Sequence, residues 1–318
     1  LALLVATCPC ALSLATPTAL TTATGSLHKL GMLLTRRLER ARLRPLGFAA
    51  NDYGIAIWCT RDVSERAAGF AAAPSAGAAE AQNIEPITFN DYNQPNRALS
   101  QKQLDLNYFQ HIFFLTNYNV ENNDSLIPLE ATYIVPLGLH SKTHDKLSQI
   151  PSGGNIAIPN DATNQGRALL LLQSAGLIKL NDGGSPLSTP ADIDASASKV
   201  KVTPVDAAQT VTSLPSVDGA VINNNFANDA GIDPKAALFA DSAKSDNAAP
   251  YINVFAARPE DKNNETLLKA IKIWHDPEVA KAVLKDSNNS AVLVKDRSQA
   301  ELQHITDGLQ ADIKKARK

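Results

Sequence analysis

The 318-residue chain is long enough for two domains of ordinary size. Apolar residues make up 44% and charged residues 19% of it, which is typical of a globular protein. The net charge of -2 gives no reason to expect nucleic acid or an acidic partner. The three cysteines all lie within the first 59 residues, so a cysteine nucleophile or a zinc–thiolate site is excluded from the larger C-terminal part.

The chain starts with an apolar segment, residues 1–37, which carries no charge before Lys29 and is long enough to span a bilayer as a helix. Within it, Cys8 and Cys10 flank a proline that opens a helix, and two thiolates suit a soft metal such as Cu(I). The segment resembles the metal-binding membrane helix of heavy-metal P-type ATPases. The Asp-Lys-Thr-Gly phosphorylation motif of that family is absent from the sequence, so we reject a pump. A membrane-embedded heavy-metal-binding fragment without ATPase activity, with Cys8 and Cys10 as ligands, stays open as the alternative function.

Five arginines follow this segment, at positions 36, 37, 40, 42 and 44. Next to a membrane span such a cluster favours the cytoplasmic side, so residues 1–44 would place the rest of the chain in the cytoplasm. A secretory signal over residues 1–15 is a competing interpretation, because the residues before Cys8 approach a lipid-attachment site. We predict a junction at residues 38–80, which are rich in small residues, although residues 53–59 have the pattern of a strand.

From residue 81 onwards, apolar segments of strand length alternate with helical patterns. Strands are predicted at residues 84–89, 104–111, 131–140, 154–158, 217–226 and 251–258, and helices at residues 265–274, 277–284 and 299–315. This alternation indicates an α/β protein with mainly parallel sheets. In such sheets ligands bind beyond the carboxyl ends of the strands. Six side chains are expected there: Tyr108, His111, Asn164, Arg167, Asn223 and Asn225.

The most informative segment is a strand, a polar loop and a helix between residues 154 and 176. Asp161 and Thr163 are N-cap candidates for the helix, and Gly176 is suited to end it. The loop would direct unpaired N–H groups and the positive end of the helix dipole at a ligand. Arg167, near the helix start, would reach the same space, and a guanidinium binds a carboxylate through two hydrogen bonds. These residues fit either a site for a small carboxylate ligand or a capped helix whose arginine meets solvent or a neighbouring aspartate.

Five segments of the chain resemble the NlpA/MetQ family, the methionine-binding proteins of bacterial ABC importers. The segments are Phe89–Asn96, Leu106–His111, Pro136–Leu139, Ala157–Leu169 and Ala220–Ala227. The resemblance extends from residue 80 to the C-terminus and implies a two-lobed fold of the type II periplasmic-binding-protein class. It places residues 81–136 and 250–318 in lobe 1 and residues 137–249 in lobe 2, with the ligand in the cleft on which the lobes close.

The resemblance also implies roles for eight residues. Arg167 would pair with the α-carboxylate of the ligand, and three asparagines would hold its carboxylate and amino groups: Asn164, Asn223 and Asn225. Ring-bearing side chains would form a pocket that suits a thioether: Tyr92, Tyr108, Phe109 and His111. Successive strand residues point to opposite faces, so one of Tyr108 and Phe109 is expected in the core. A structural hydrogen bond for His111 and a turn position for Asn225 stay open as alternatives.

The function implied by this resemblance is that of an extracytoplasmic solute-binding protein. It would deliver L-methionine or a related small amino acid to the permease and ATPase subunits of an importer, without enzymatic activity and without a cofactor. We expect it at the periplasmic face of the inner membrane, held by an N-terminal helix or a lipid, although the arginine cluster favours the opposite side.

The sequence also departs from the family pattern. Asn224 stands where relatives usually have a small residue, and Phe226 where they often have tyrosine, so either would reshape the pocket. The glycine-containing opening strand of the family has no recognisable counterpart in residues 40–79. We therefore expect an incomplete first lobe with exposed sheet edges. The chain would be a chimera in which the ATPase-like segment replaces the usual leader and first strand.

Overall fold

The computed structural model describes residues 55–59, 84–244 and 246–317. The strands in these residues are β1 (Ile55–Cys59), β2 (Ile84–Thr88), β3 (Leu106–His111), β4 (Ile127–Ala131), β5 (Tyr133–Ile134), β6 (Gly138–His140), β7 (Asn155–Pro159), β8 (Lys201–Val205), β9 (Gly219–Ile222), β10 (Phe239–Ala240), β11 (Asn253–Ala257) and β12 (Val292–Leu293). The α-helices are α1 (Gln94–Ser100), α2 (Ile112–Asn122), α3 (Ala162–Ser174), α4 (Thr210–Ser213), α5 (Asn224–Asp229), α6 (Glu265–Lys272), α7 (Pro277–Asp286) and α8 (Gln299–Ala316). The predicted N-terminal apolar helix lies outside the described residues.

The first five-stranded sheet has the order β2-β1-β3-β11-β4. Strand β1 pairs in parallel with β2 along its whole length and with β3 on its other side, where Ile57 lies opposite Leu106. The first sheet therefore contains an opening strand, which corrects our expectation that this strand is missing. The strand pattern at residues 53–59 was recognised in the sequence but was assigned to the junction, because a short run inside a segment of small residues does not show which strands it pairs with.

The second five-stranded sheet has the order β10-β6-β9-β7-β8. The expectation of mainly parallel sheets is wrong: among the described strands of the two large sheets, four pairings are parallel and four are antiparallel. The reason is that β6 and β11 each enter their sheet directly from the other lobe. Each starts at the cleft edge, where Gly138 lies opposite Ile222 and Asn253 lies opposite His111, and runs away from the cleft.

Two segments connect the two sheets. We call residues 132–137, between β4 and β6, the first crossing, and residues 241–252, between β10 and β11, the second crossing. The crossings contact each other where the backbone N–H of Asp241 donates to the carbonyl oxygen of Leu137, at 3.1 Å. Two α/β lobes joined by two crossings confirm the predicted two-lobed fold.

Helices cover both faces of the first sheet. Val254 and Phe255 are neighbours on β11 but belong to different apolar clusters, because successive strand residues point to opposite faces. The cluster around Phe255 includes Leu267 of α6, and the cluster around Val254 includes Leu302 of α8. In the second lobe, Leu169 anchors α3 to its sheet and is completely buried. Each lobe thus has a core of its own, which allows it to hold its share of the cleft in place.

Helix α3 starts and ends as the sequence predicts. Asp161 is the N-cap and accepts a hydrogen bond from the backbone N–H three residues later, whereas Thr163 only donates its hydroxyl to the Asp161 carboxylate, at 3.1 Å. The chain leaves the helix through Gly176, whose φ of +70° is a conformation that glycine adopts without strain. Inside the helix, a Cβ atom on Gly166 would overlap the carbonyl oxygen of Pro186. Helix α3 therefore packs so closely against Pro186 that no residue larger than glycine fits at position 166.

The burial of α3 gives a first testable prediction. Leu169→Ala should lower the free energy of unfolding by about 2–5 kcal/mol, because it removes a fully buried side chain and leaves a cavity. Leu268→Ala in α6 is the matched control: Leu268 is 37% exposed, and this exchange should change stability by no more than about 0.5 kcal/mol. Urea denaturation followed by circular dichroism measures both, and equal losses in the two variants would contradict this account of the core.

Candidate functional site

Residues from both lobes line one cleft, which has a volume of about 60 Å³. All eight residues predicted from the family resemblance lie along it: Tyr92, Tyr108, Phe109, His111, Asn164, Arg167, Asn223 and Asn225. Six further lining residues were not among those eight: Gln110, Phe114, Tyr133, Val135, Asn224 and Asn253. The structure therefore brings these eight residues together, although the Tyr108 ring packs into the core of the first lobe, and the role of each towards a ligand stays a prediction.

The cleft residues are delivered by strand ends and helix starts. His111 is the last residue of β3 and the N-cap of α2. Asn164 and Arg167 are the third and sixth residues of α3, so the arginine lies in the second helical turn. Asn223 is the N-cap of α5, and Asn225 is the second residue of that helix. Because strands β3, β7 and β9 all end at the cleft, short elements after them are enough to bring these side chains together.

Arg167 is buried and its guanidinium is already held by protein groups. Its Nε donates to one carboxylate oxygen of Asp241 at 2.6 Å, and its Nη2 donates to the other at 3.0 Å. Nη2 also donates to the carbonyl oxygen of Val135 at 3.0 Å, and the guanidinium lies 4.3 Å from the centre of the Tyr251 ring. The sequence left open whether this arginine meets a neighbouring aspartate, and it does. Asp241 was not predicted, because it lies 74 positions away in a polar segment without a recognisable motif.

Three polar side chains of the second lobe form a hydrogen-bonded chain. The Asn164 amide donates to both carboxylate oxygens of Asp161, at 2.9 and 3.1 Å, and its own oxygen accepts from the Asn223 amide at 3.0 Å. Burial raises the pKa of Asp161 above its ordinary value. The Oδ1 atom of Asn223 and the Nδ2 atom of Asn225 are buried and have no hydrogen-bond partner within the described residues. The cleft therefore offers one free acceptor and one free donor, a pair that a zwitterion could satisfy.

His111 serves both the fold and the cleft. Its Nδ1 accepts a hydrogen bond from the backbone N–H of Phe114 at 3.0 Å, as the N-cap of α2. The proton of the neutral ring must then lie on Nε2, which is 3.4 Å from the Oδ1 atom of Asn164 across the cleft. Burial, together with the positive charge of Arg167, lowers the pKa of His111 to about 3. The structural hydrogen bond that the sequence left open is thus present, and the ring lines the cleft as well.

Aromatic rings form the other part of the cleft. The Tyr92 ring lies 5.2 Å from that of Phe226 and 6.1 Å from that of Phe109, measured between ring centres. Burial raises the pKa of Tyr92 well above its ordinary value. Tyr108 points to the opposite face of β3, where it stacks on Phe255 at 4.6 Å in the core of the first lobe. Of the neighbouring pair on β3, Tyr108 is therefore the core residue, as the strand periodicity requires of one of them.

The two lobes touch each other across the cleft. The Tyr92 hydroxyl of the first lobe donates to the Oδ1 atom of Asn225 in the second, at 2.5 Å. The Asn224 amide donates to the Ser290 hydroxyl at 3.2 Å. Asn224, which replaces a small residue of the family pattern, is therefore part of the contact between the lobes. These contacts describe a closed arrangement of the lobes.

Neither the predicted metal site nor the predicted membrane helix can be placed in the structure. Cys8 and Cys10 lie outside the described residues. In residues 55–59, 84–244 and 246–317, no three histidine, cysteine, aspartate or glutamate side chains are arranged to hold a metal ion. Among the helices of the same ranges, none is long and apolar enough to cross a bilayer.

Comparison with known protein families identifies the family of this chain. A model of the NlpA lipoprotein family matches residues 62–294. The chain belongs to this family. A second and much shorter match, to a family described as DEAD/H associated, covers residues 25–89.

A relative and two solved structures are similar to this chain over most of its length. The D-methionine-binding lipoprotein MetQ of Salmonella typhi is 37% identical over 213 residues, which are 66% of this chain and 77% of the relative. Protein PG110 from Staphylococcus aureus has a solved structure with a TM-score of 0.73 and 35% identity, covering 80% of this chain and 99% of its own. The substrate binding protein of a methionine transporter from Streptococcus pneumoniae has a TM-score of 0.69 and 36% identity, covering 76% of this chain and 95% of its own.

The lowered pKa of His111 gives a prediction on pH dependence. Below pH 6.5 the unfolded state binds a proton that the folded state takes up only near pH 3, so stability should fall as the pH falls through this range. His111→Asn removes the titrating ring but keeps a side chain that can cap α2. Its loss of stability between pH 7 and pH 5 should be smaller than that of the unchanged protein by about 2 kcal/mol.

Urea denaturation at the two pH values measures this difference. The exposed His304→Asn exchange is the control for removing a histidine from a helix. Equal losses of stability in the unchanged protein and in His111→Asn would contradict a neutral, buried His111.

Proposed function

We propose that this chain is the substrate-binding protein of an ABC importer and that it holds methionine, or a related small amino acid, in the cleft between its lobes. The observation that carries the proposal is that a cation, two unpaired amide atoms and several aromatic rings meet in that cleft. The names of a relative and of a structural neighbour, which describe methionine binding, support the choice of ligand.

The polar end of the cleft suits the common part of an amino acid. The guanidinium of Arg167 and the free Nδ2 of Asn225 are donors for the α-carboxylate, and the free Oδ1 of Asn223 is an acceptor for the α-ammonium group. An unpaired buried polar atom costs about 1–3 kcal/mol, so a ligand that pairs both amide atoms removes a cost that the empty site carries. The Asn164 amide keeps Asn223 in place through their hydrogen bond of 3.0 Å.

The aromatic end suits the side chain of methionine. The rings of Tyr92, Phe109 and Phe114 contact one another and line one region of the cleft. A thioether gains about 0.3–1.5 kcal/mol from a contact with an aromatic ring, and its flexible chain adapts to an irregular pocket. His111 adds a neutral N–H donor between this region and the polar end. We assign no catalytic role to these groups, in line with the substrate-binding role that the structural neighbour is named for.

The proposed partners follow from the family. We infer that the chain delivers its ligand to permease and ATPase subunits and acts at the periplasmic face of the inner membrane, held there by a lipid or by its N-terminal segment. We assign residues 81–136 and 250–318, together with β1, to the first lobe and residues 137–249 to the second. The alternative, a heavy-metal-binding membrane fragment built on Cys8 and Cys10, has no support from the relatives described above.

Calorimetric titration of the 318-residue protein with L-methionine and D-methionine tests the proposal. Binding of one ligand per chain is expected, and at about 100 times the dissociation constant it should stabilise the folded protein by about 2.7 kcal/mol. L-leucine, which has no sulfur, should bind more weakly. Absence of binding to either methionine enantiomer by a protein that unfolds cooperatively would exclude methionine as the ligand.

Removing the free acceptor of the cleft gives a sharper prediction. Asn223→Ala should weaken methionine binding about 10- to 100-fold, because a hydrogen bond to a charged group contributes about 1.5–3 kcal/mol. Asn181→Ala is the matched control, since Asn181 is an exposed asparagine of the same lobe. Titration calorimetry measures both affinities. If Asn223→Ala binds as tightly as Asn181→Ala, the ammonium group of the ligand does not meet Asn223.

A further inference from the structure

Asp241 connects the cleft to both crossings between the lobes. It is the first residue of the second crossing, and its backbone N–H donates to the carbonyl oxygen of Leu137 in the first crossing at 3.1 Å. Its Oδ1 atom accepts from the backbone N–H of Leu137 at 2.8 Å and from the Nη2 of Arg167 at 3.0 Å. Its Oδ2 atom accepts from the Nε of Arg167 at 2.6 Å. A single carboxylate thus joins the two crossings to each other and to the arginine of the cleft.

Arg167 belongs to the second lobe, but the groups that hold its guanidinium belong to the crossings. Val135 of the first crossing accepts from Nη2, and Asp241 and Tyr251 of the second crossing supply a carboxylate and a ring face. None of the three hydrogen bonds uses Nη1. Nη1 is therefore the guanidinium nitrogen that a ligand carboxylate would meet, through an end-on contact instead of the two-nitrogen contact that Asp241 occupies.

We propose that Asp241 is a positioning residue for ligand binding: it fixes Arg167 so that Nη1 faces the ligand carboxylate, and it links that contact to the two crossings. This inference rests on the proposed function, because it requires that an amino acid occupies the cleft. Affinity for a ligand with a carboxylate should then depend on Asp241. Affinity for the same ligand without a carboxylate should not.

The chemistry of the pair explains why the negative charge is needed. Asp241 accepts three hydrogen bonds from Leu137 and Arg167, whereas an asparagine has only one acceptor oxygen and would turn its NH2 group towards a guanidinium N–H. In Asp241→Asn the guanidinium would lose its fixed orientation, so binding would have to restore it. The unpaired cation would attract a carboxylate more strongly, but we expect the lost orientation to outweigh this gain.

The test compares L-methionine with L-methioninamide, which keeps the side chain and the ammonium group but has no carboxylate. In the 318-residue protein, Asp241→Asn should weaken L-methionine binding at least tenfold and change L-methioninamide binding by less than twofold. Asp182→Asn is the matched control, because it removes one negative charge from an exposed position of the same lobe whose φ of +53° asparagine tolerates. Equal weakening of both ligands, or tighter binding of L-methionine, would overturn the proposal.

A second variant tests the same arrangement from its other side. Tyr251→Leu removes the ring that lies 4.3 Å from the guanidinium and leaves Asp241 unchanged. It should also weaken L-methionine binding more than L-methioninamide binding. If Asp241→Asn fails to unfold cooperatively, this variant decides the question by the same comparison, and an equal effect on the two ligands again overturns the proposal.

A measurement without ligand separates this proposal from the proposed function. The Nε–H proton of Arg167, identified in NMR spectra by its loss in Arg167→Lys, should exchange slowly with solvent in the unchanged protein and faster in Asp241→Asn. If the unchanged protein binds no amino acid, the proposed function fails, and the exchange rates still show whether Asp241 holds Arg167. Identical exchange in both proteins would contradict the positioning role.

Discussion

The passage of the chain between the two sheets, once in each direction, is the constraint on which the rest of the structure depends. Because β6 and β11 begin at the crossings, each must run away from the cleft and pair antiparallel with a strand that ends there. The ends of β3 and β9 consequently lie beside the starts of β11 and β6. The same topology that makes both sheets mixed also collects strand ends, helix starts and crossings around one cleft.

The charged and polar side chains of the cleft are already paired or neutral in the absence of a ligand. The guanidinium of Arg167 is compensated by Asp241, the Asp161 carboxylate is held by the turn that it caps, and His111 is kept neutral by burial. Buried charges that are paired and hydrogen-bonded avoid the desolvation cost of isolated ones. In the described part of the cleft, one amide oxygen, of Asn223, and one amide nitrogen, of Asn225, stay buried and unpaired. The proposed function assigns the polar part of an amino acid to these two atoms and to the arginine.

Local sequence patterns predicted those parts of the molecule that depend on neighbouring residues. The strand, loop and helix around Asp161 follow from capping and turn chemistry, and the ordered motifs led to all eight cleft residues. Partners that meet only in the tertiary structure were not predictable in this way. Asp241 is far from Arg167 in sequence, and the pairing direction of β11 follows from the crossing and not from its own residues. The strand pattern of β1 was visible in the sequence, but its role as the opening strand was not, because its place in the sheet is defined by the strands beside it.

The tight packing of Gly166, inside α3, means that a substitution outside the cleft can displace a side chain of the cleft. Gly166 precedes the cleft arginine and faces the carbonyl oxygen of Pro186 without room for a methyl group. Any side chain at this position would push the helix outward and carry Arg167 away from Asp241, although the substituted residue itself contacts neither ligand nor cleft. Under the proposed function, a genetic selection for loss of uptake would therefore recover substitutions of Gly166, on the side of α3 that faces Pro186. Such alleles would impair the proposed binding site without changing any residue that lines the cleft.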